Sequence, residues 1–218
     1  MGRLILVVLG KQGAGKGTQC KRLSERYSIP HVSTGDMLRA AVKAGTPVGR
    51  DVAAVLEAGA LVSDDLVNRL VEERFTQPDA ALGALLDGFP RTFAQAEALE
   101  SILGEDGVKL CINLDVPVEL VTERLSARRV CVDCGAIYTD TDPEAVSGVC
   151  SNCQGTVVQR ADDQPEAIRS RLEAYERDTA PLLDFYRERG LLVSVDGSRG
   201  PDEVTAAIIA VIGERLAR

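Results

Sequence analysis

Apolar residues fall along this chain in short, almost unbroken runs that alternate with longer stretches of helical period. RLILVVL (3–9), VS (32–33), ALLD (84–87), VKLCINL (108–114) and LLVSV (191–195) are the runs. Near-continuous apolarity over four to seven residues, which all but the two-residue VS show, is what a strand covered on both faces needs, as in a parallel sheet. A helix-competent segment follows each: Gly15 to Tyr27, Asp36 to Ala44, Thr92 to Leu103, Pro117 to Ala127 and Asp202 to Leu216. This βα order predicts an α/β fold with a five-stranded parallel sheet and crossover helices. Two segments break the rhythm. Helical patterns at about 47–58 and 64–76 delay the third strand, so residues 33–62 read as a helical insertion. Residues 129–161 are rich in Cys, Gly, Asp and Thr and poor in helix formers, which predicts a small β-rich module. Asp163-Gln164-Pro165-Glu166 then marks a helix start, with a capping carboxylate and proline in the first turn, and the helix is predicted to run to Arg189. The core is left with 1–32, 63–128 and 162–218.

Composition narrows the function classes. With 218 residues, 45% apolar and 27% charged, the chain can bury a substantial core without disulfide help. No apolar run approaches the roughly 18 residues that span a bilayer. The apolar stretch after Arg3 is too short for a signal-peptide core, and a glycine loop follows it. A net charge of −8 argues against a duplex-binding surface, which needs clustered Lys and Arg, and no nucleic-acid or membrane partner is expected. Two of the six cysteines, Cys20 and Cys111, stand alone; leftover thiols without a secretion signal suggest a reducing cytosol and a cytoplasmic protein. His31 is the single histidine, so neither a histidine dyad nor a histidine-rich metal site is available.

Gly10-Lys11-Gln12-Gly13-Ala14-Gly15-Lys16-Gly17-Thr18 follows the first strand directly and opens a helix. This is the pattern of a phosphate-binding loop: glycines let successive N–H groups curl around a phosphate, the helix N-terminus adds a favourable dipole, and Lys16 reaches the outer phosphates. Gly17 occupies the usual Ser/Thr position, and Thr18 comes one residue later. The other reading of such a segment is a ligand-free glycine turn, which the strand–loop–helix context disfavours.

The loop GKQGAGKGTQ resembles that of the nucleoside monophosphate kinases, and more particularly of the adenylate kinase family. STGDMLR (33–39), GALVSDDLV (59–67), DGFPRTFAQAE (87–97), ERLSARR (123–129), RADDQPEAIRSRL (160–172) and VDGS (195–198) resemble the signature segments of that family in the same order, over nearly the whole chain. Gln12 departs from it, standing where the family usually has proline, and a slightly altered nucleotide affinity is expected.

The resemblance implies a reversible phosphoryl transfer, ATP plus AMP to two ADP, with Mg2+ accompanying ATP. It implies an ATP site of Gly13, Ala14, Gly15, Lys16, Gly17, Thr18, Arg124, Arg128, Ile137, Tyr138 and Arg199. It implies an AMP site of Thr34, Arg39, Ala60, Leu61, Val62, Gly88, Phe89, Pro90, Arg91, Gln95, Arg160 and Arg171. Lys16, Arg91, Arg128, Arg160 and Arg171 would carry the catalysis. Fork-shaped guanidinium donors at Arg39 and Arg91 suit an α-phosphate, and an amide at Gln95 can both donate to and accept from an adenine edge. Each has a plainer alternative: Arg39 as a solvated helix charge, and Gln95 with Thr92 as a capping box. Asp87, ending a buried strand, suits magnesium held through water. Asp162 and Asp163 are expected to cap the next helix and orient arginines.

Cys131 and Cys134 form one CxxC, and Cys150 and Cys153 form a second after fifteen intervening residues. Four thiolates at this spacing predict a closed tetrahedral zinc site, structural because no coordination position stays open; disulfides and free thiols are the alternatives. Some adenylate kinases resemble this chain in carrying zinc in a mobile lid. Two rivals share some of these features: a kinase for UMP, CMP or GMP, and a zinc-ribbon ATPase that binds nucleic acid. The acidic balance and the scarcity of aromatic residues in the cysteine module argue against the second. A monomer is expected.

Overall fold

The computed structural model describes residues 2–217, so Met1 and Arg218, the outermost residues assigned to the core, lie outside the described residues. Five strands form a parallel sheet: β1 (Leu4–Leu9), β2 (His31–Ser33), β3 (Gly83–Asp87), β4 (Leu110–Asp115) and, far along the chain, β8 (Leu192–Asp196). Their order is β2-β3-β1-β4-β8. All five predicted strands are present within two residues of their expected ends.

The three central strands, β1, β3 and β4, are buried along nearly their whole length because both faces are covered. Ile5, Val7 and Leu9 of β1 pack with Leu86, Leu99 and Tyr186, whereas Leu6 and Val8 pack on the other face with Leu23, Leu85, Ile112 and Ile208. Each side chain so enclosed contributes about 1.5–3 kcal/mol relative to exposure. Leu6 pairs with Leu85 on one side and Leu110 on the other, which fixes β1 at the centre. The chain runs outward from β1 in both directions, and the crevice beyond the carboxyl ends of its strands is where such sheets bind ligands. Val8 pairs with Asp87, so the loop after β1 and the last residue of β3 meet in that crevice.

The helices are α1 (Lys16–Tyr27), α2 (Thr34–Lys43), α3 (Pro47–Glu57), α4 (Asp64–Phe75), α5 (Phe93–Leu103), α6 (Val118–Ala127), α7 (Pro143–Ser147), α8 (Pro165–Ala174), α9 (Leu182–Glu188) and α10 (Pro201–Leu216). Helix α2 begins at Thr34, two residues before the expected start, because the Ser33 hydroxyl accepts from the Asp36 N–H (3.3 Å). The single helix expected from Asp163 to Arg189 is interrupted. Pro181 has no N–H to donate, and a π-turn over Tyr175–Thr179 absorbs the misfit, with the Ala180 N–H donating to the Tyr175 carbonyl (2.8 Å) before α9 resumes. Asp163 does not cap α8: Gln164 holds the cap position and offers no side-chain bond.

The cysteine segment forms an antiparallel sheet in the order β6-β5-β7, from β5 (Arg128–Cys131), β6 (Ile137–Thr139) and β7 (Val157–Val158). It is β-rich as expected, with the short α7 as an unanticipated addition after Thr141. Its apolar cluster has three buried members, Cys131, Cys150 and Val157, too few to hold a module together by burial alone. Among the described residues, no helix is long and apolar enough to cross a membrane.

Candidate functional site

The loop from Gly10 to Gly15 turns at the carboxyl end of β1. Gly13 has φ +83°, and a Cβ there would sit 2.8 Å from the Val121 carbonyl, so only glycine allows the loop to lie against α6. Gly15 caps α1 with φ +93°. The Lys16 ammonium folds back under the loop and donates to the carbonyls of Gly10 (2.7 Å) and Lys11 (2.9 Å). Burial pulls the Lys16 pKa down to about 8; the Asp87 carboxylate opposes the shift, while Arg91 and Arg171 reinforce it. Gln12 leaves a buried Oε1 without a partner, an arrangement that costs about 1–3 kcal/mol.

A cavity opens beside the loop. Thr34, Gly35 and Arg39 of α2 line one wall, Gly59 to Val62 another, and Gly88, Arg91 and Gln95 the floor, with Asp162 and Arg171 at the rim. The Gly88 carbonyl accepts from Thr34 Oγ1 (2.8 Å) and Arg91 Nε (2.9 Å). Gly88 has φ +74°, and a Cβ there would lie 2.8 Å from Arg91 Nη2, so the arginine reaches this position only because the residue is glycine. Phe89 and Pro90 are buried; the Phe89 ring belongs to the sheet core and not to the cavity wall.

Gln95 is 2% exposed and its amide is fixed at both ends. Oε1 accepts from the Arg91 N–H (2.7 Å), and Nε2 donates to Asp64 Oδ1 (2.7 Å). Thr92 caps α5, its hydroxyl accepting from the Gln95 N–H (3.2 Å) and donating to Asp64 Oδ2 (2.9 Å). The capping box is therefore half formed, since the Gln95 side chain returns to Arg91 and not to Thr92. A backbone N–H can only donate and a carboxylate can only accept, so the orientation of this amide is forced. Asp64 had no sequence signal beyond an acid in a helix first turn; its role is tertiary.

Arginines gather at this cavity, where Arg39, Arg91 and Arg171 line it. Arg128 donates to both oxygens of buried Asp163 (2.7 and 2.5 Å), and Arg171 reaches the same carboxylate at 3.1 Å. Arg160 holds Asp162 through Nε (2.8 Å) and Nη2 (2.5 Å). Arg171 is pulled down to about 10 by burial, with Asp162 opposing and Arg160 and Arg128 adding to the shift. Arg91 is lowered by burial as well, against Asp87, with Arg39 and Arg160 contributing. Arg39 pairs with Asp36. The two aspartates thus orient arginines as expected, although neither caps α8.

Asp87 is the acidic group beside the loop. Burial pushes its carboxyl up, but the His31 hydrogen bond (3.3 Å) and the Lys16 charge outweigh that, leaving it below the usual carboxylate range. A buried, ionised carboxylate at a strand end next to a phosphate-type loop fits a hard cation held by oxygen ligands. Elsewhere, Arg124 donates to the carbonyls of Gly197 (3.0 Å) and Ser198 (3.2 Å), tying α6 to the loop after β8. Arg199 lies outside this convergence, exposed and paired with Asp196 (3.1 Å). Thr18 is half-buried on α1, and Ile137 is half-exposed on β6.

The four module cysteines place their sulfurs within 4.8 Å of one another, with Cys131 to Cys153 and Cys134 to Cys150 both at 3.5 Å. These separations exclude disulfides in this structure. They approach the spacing of roughly 3.8 Å set by a tetrahedral site with metal–sulfur bonds of about 2.3 Å. Tyr138 places its hydroxyl 3.1 Å from Cys150 Sγ, an interaction that holds this thiol down to about 6. Lys43 at the end of α2 donates to the Val132 carbonyl (3.0 Å) and to Asp133 (2.8 Å), joining the helical insertion to the cysteine module.

Comparison with known proteins decides the family. The adenylate kinase family model matches residues 8–191. The chain is 49% identical over 216 residues to an adenylate kinase of Moorella thermoacetica, covering 98% of each protein. It is 48% identical to one of Thermodesulfovibrio yellowstonii, covering 96% of this chain and 99% of the relative, and 47% identical to one of Rhizobium rhizogenes at the same coverage. The chain belongs to the adenylate kinase family. Membership makes it a phosphotransferase of the nucleoside monophosphate kinase class, and the α/β architecture with a small antiparallel appendage agrees with an adenylate kinase fold.

The Asp163 carboxylate is fully buried between Arg128 and Arg171, so removing its charge strands two guanidinium groups. Asp163→Asn should cost about 3 kcal/mol in denaturant unfolding. Asp196→Asn, at an exposed pair, should change stability by less than about 0.5 kcal/mol. Equal effects in the two variants would show that burial does not govern these pairs.

Proposed function

We propose that this chain transfers the terminal phosphoryl group of ATP reversibly to AMP, giving two ADP, and so balances the adenine nucleotides. The observation that carries this reading is that Arg91 and Arg171, which line the cavity beside the phosphate-type loop, both lie within electrostatic reach of the Lys16 ammonium. Phosphoryl transfer needs little covalent help from protein: positioning and stabilisation of charge spread over the equatorial oxygens do most of the catalysis.

In this scheme the loop N–H groups from Gly13 to Thr18 and the Lys16 ammonium hold the donor phosphates. Arg124 supports the donor side, and the segment around Ile137 and Tyr138 would cover it. Arg39 and Arg91 hold the acceptor phosphate, and Arg128, Arg160 and Arg171 neutralise the phosphate chain between donor and acceptor. Asp87 would hold Mg2+ through water; when bound, Mg2+ screens the phosphate charge. Residues 33–62 act as the acceptor insertion and 129–161 as a lid on the core, with the Lys43 bonds to Val132 and Asp133 helping to hold the two together. Closure excludes water, which competes with AMP as acceptor. Cys131, Cys134, Cys150 and Cys153 would hold a structural Zn2+ whose chemistry is to cross-link the lid. The protein works as a cytoplasmic monomer.

Base selection follows from the fixed amide. With one acceptor site on Oε1 committed to Arg91 and one Nε2 hydrogen to Asp64, Gln95 retains one acceptor and one donor in a set order. That order suits the 6-amino group and N1 of adenine and opposes the 6-oxo group and N1–H of hypoxanthine or guanine. In a coupled assay of ADP production with AMP, IMP, GMP, CMP and UMP offered in turn, AMP should be preferred. Asp64→Asn, which can donate as well as accept, should lower the AMP-to-IMP ratio of kcat/KM by about tenfold, chiefly through KM. An equal loss for both nucleotides would make Asp64 structural.

Lys16 gives a pH signature. Its pKa is about 8 in the protein against 10.5 ordinarily, so between these values the unfolded chain binds more protons, and this group's contribution to stability rises with pH. Phosphate anions favour the charged form. Binding of ATP at pH 8 should therefore take up protons, read by calorimetry in buffers of different ionisation enthalpy. Uptake should vanish at pH 6, where Lys16 is already charged. Uptake unchanged in Lys16→Met would disprove the assignment.

A closed thiolate site stabilises the folded lid without entering the reaction. Cys150→Ser should weaken or abolish zinc binding, lower the temperature of inactivation and keep substantial turnover in the cold. Complete loss of cold activity in a folded variant would make the metal catalytic.

A further inference from the structure

We propose that Cys20, His31 and Asp87 form a second metal site, distinct from the lid cysteines, which takes a thiophilic divalent cation such as Zn2+ and inhibits the enzyme when filled. The three residues come from separate elements, the second turn of α1, the start of β2 and the end of β3, and their ligand atoms lie within 4.8 Å of one another. His31 pairs in register with Leu85, two residues before Asp87, which puts His31 and Asp87 on one face of the sheet, the face that α1 covers. Their Nε2 to Oδ2 separation is 3.3 Å. A charge-assisted N–H···O bond optimises at about 2.7–2.9 Å, whereas two ligands at about 2.0–2.1 Å from a tetrahedral cation are roughly 3.3–3.4 Å apart.

A thiol, an imidazole and a carboxylate make a donor set that favours zinc over magnesium, which keeps to oxygen ligands. Three protein ligands leave a fourth position open, unlike the closed four-cysteine site. The His31 and Asp87 side chains are 14% and 13% exposed, so the site is reachable from the crevice although Cys20 is fully buried. Lys16 does not occupy it: its ammonium is spent on the carbonyls of Gly10 and Lys11, and His31 is the one side-chain partner of Asp87 among the described residues. The Asp36 carboxylate acts electrostatically on both Cys20 and Asp87, which partly offsets the Lys16 charge. On binding, the Sγ–H proton leaves to solvent as the sulfur–metal bond forms. The bound cation takes Asp87, and with it the group assigned to magnesium. Occupancy is independent of the catalytic reading; inhibition rests on it.

The test uses the full chain with its lid loaded with zinc, exposed to further Zn2+ and desalted. Elemental analysis should find two zinc ions per chain in the parent and one in Cys20→Ala and Cys20→Ser, with Zn2+ inhibition of Mg-ATP and AMP turnover at least tenfold weaker in both variants. Without added zinc, both should match the parent in turnover. One zinc per chain in the parent, or a second zinc that survives in folded variants, overturns the site. Two zinc ions with undiminished turnover overturn the inhibitory role while leaving nucleotide chemistry untouched. Should the variants fail to fold, Co2+ added to the zinc-lid parent must give a thiolate-to-cobalt absorption band with lid zinc retained; its absence overturns the proposal.

Discussion

Lys16, Arg39, Arg91, Arg128, Arg160 and Arg171 crowd into one crevice where the carboxylates of Asp36, Asp87, Asp162 and Asp163 are too few to neutralise them. Burial makes positive charge costly at Lys16, Arg39, Arg91 and Arg171, and pulls Lys16 down to about 8 and Arg171 to about 10. The rest of the molecule is arranged to bear that cost. Aspartates hold the guanidinium groups in place from behind, loop carbonyls hold the ammonium, and an anion with several charged oxygens is what would complete the set. A protein that accepts such strain is organised around a polyanionic substrate.

The sheet topology determines where this happens. Because β1 is central and the chain leaves it in both directions, the loop after β1 and the acid at the end of β3 share one crevice. Gly13 and Gly88 then permit close approaches that a Cβ would block, one letting the loop pack on α6 and the other letting Arg91 reach the cavity beside the loop. The cysteine module lacks a core of its own, and its four sulfurs are spaced for the cross-link that would compensate.

Much of this was legible in the sequence for a physical reason. Strands buried on both faces must be nearly continuously apolar, which marks β1, β3 and β4; the edge strands β2 and β8 are marked instead by their alternation with helices, and the phosphate loop could be read because its chemistry is local. Tertiary relations were not legible. Asp163 looked like a helix cap under local rules, yet it lies between Arg128 and Arg171, which come from segments 35 and eight residues away. Asp64 fixes Gln95 across 31 residues, and Tyr138 reaches Cys150 inside a module whose internal packing no periodicity encodes. The break in the helix after Ala174 did carry a signal, Pro181, and the interruption falls just before it.

If the proposed donor and acceptor sites lie on either side of one arginine cluster, a single molecule should fill both. Steady-state inhibition by two adenosines joined through a phosphate chain measures this directly. Inhibition competitive against both Mg-ATP and AMP is expected, because the same inhibitor then occupies the loop and the neighbouring cavity together. Competition with only one substrate would contradict adjacent donor and acceptor sites.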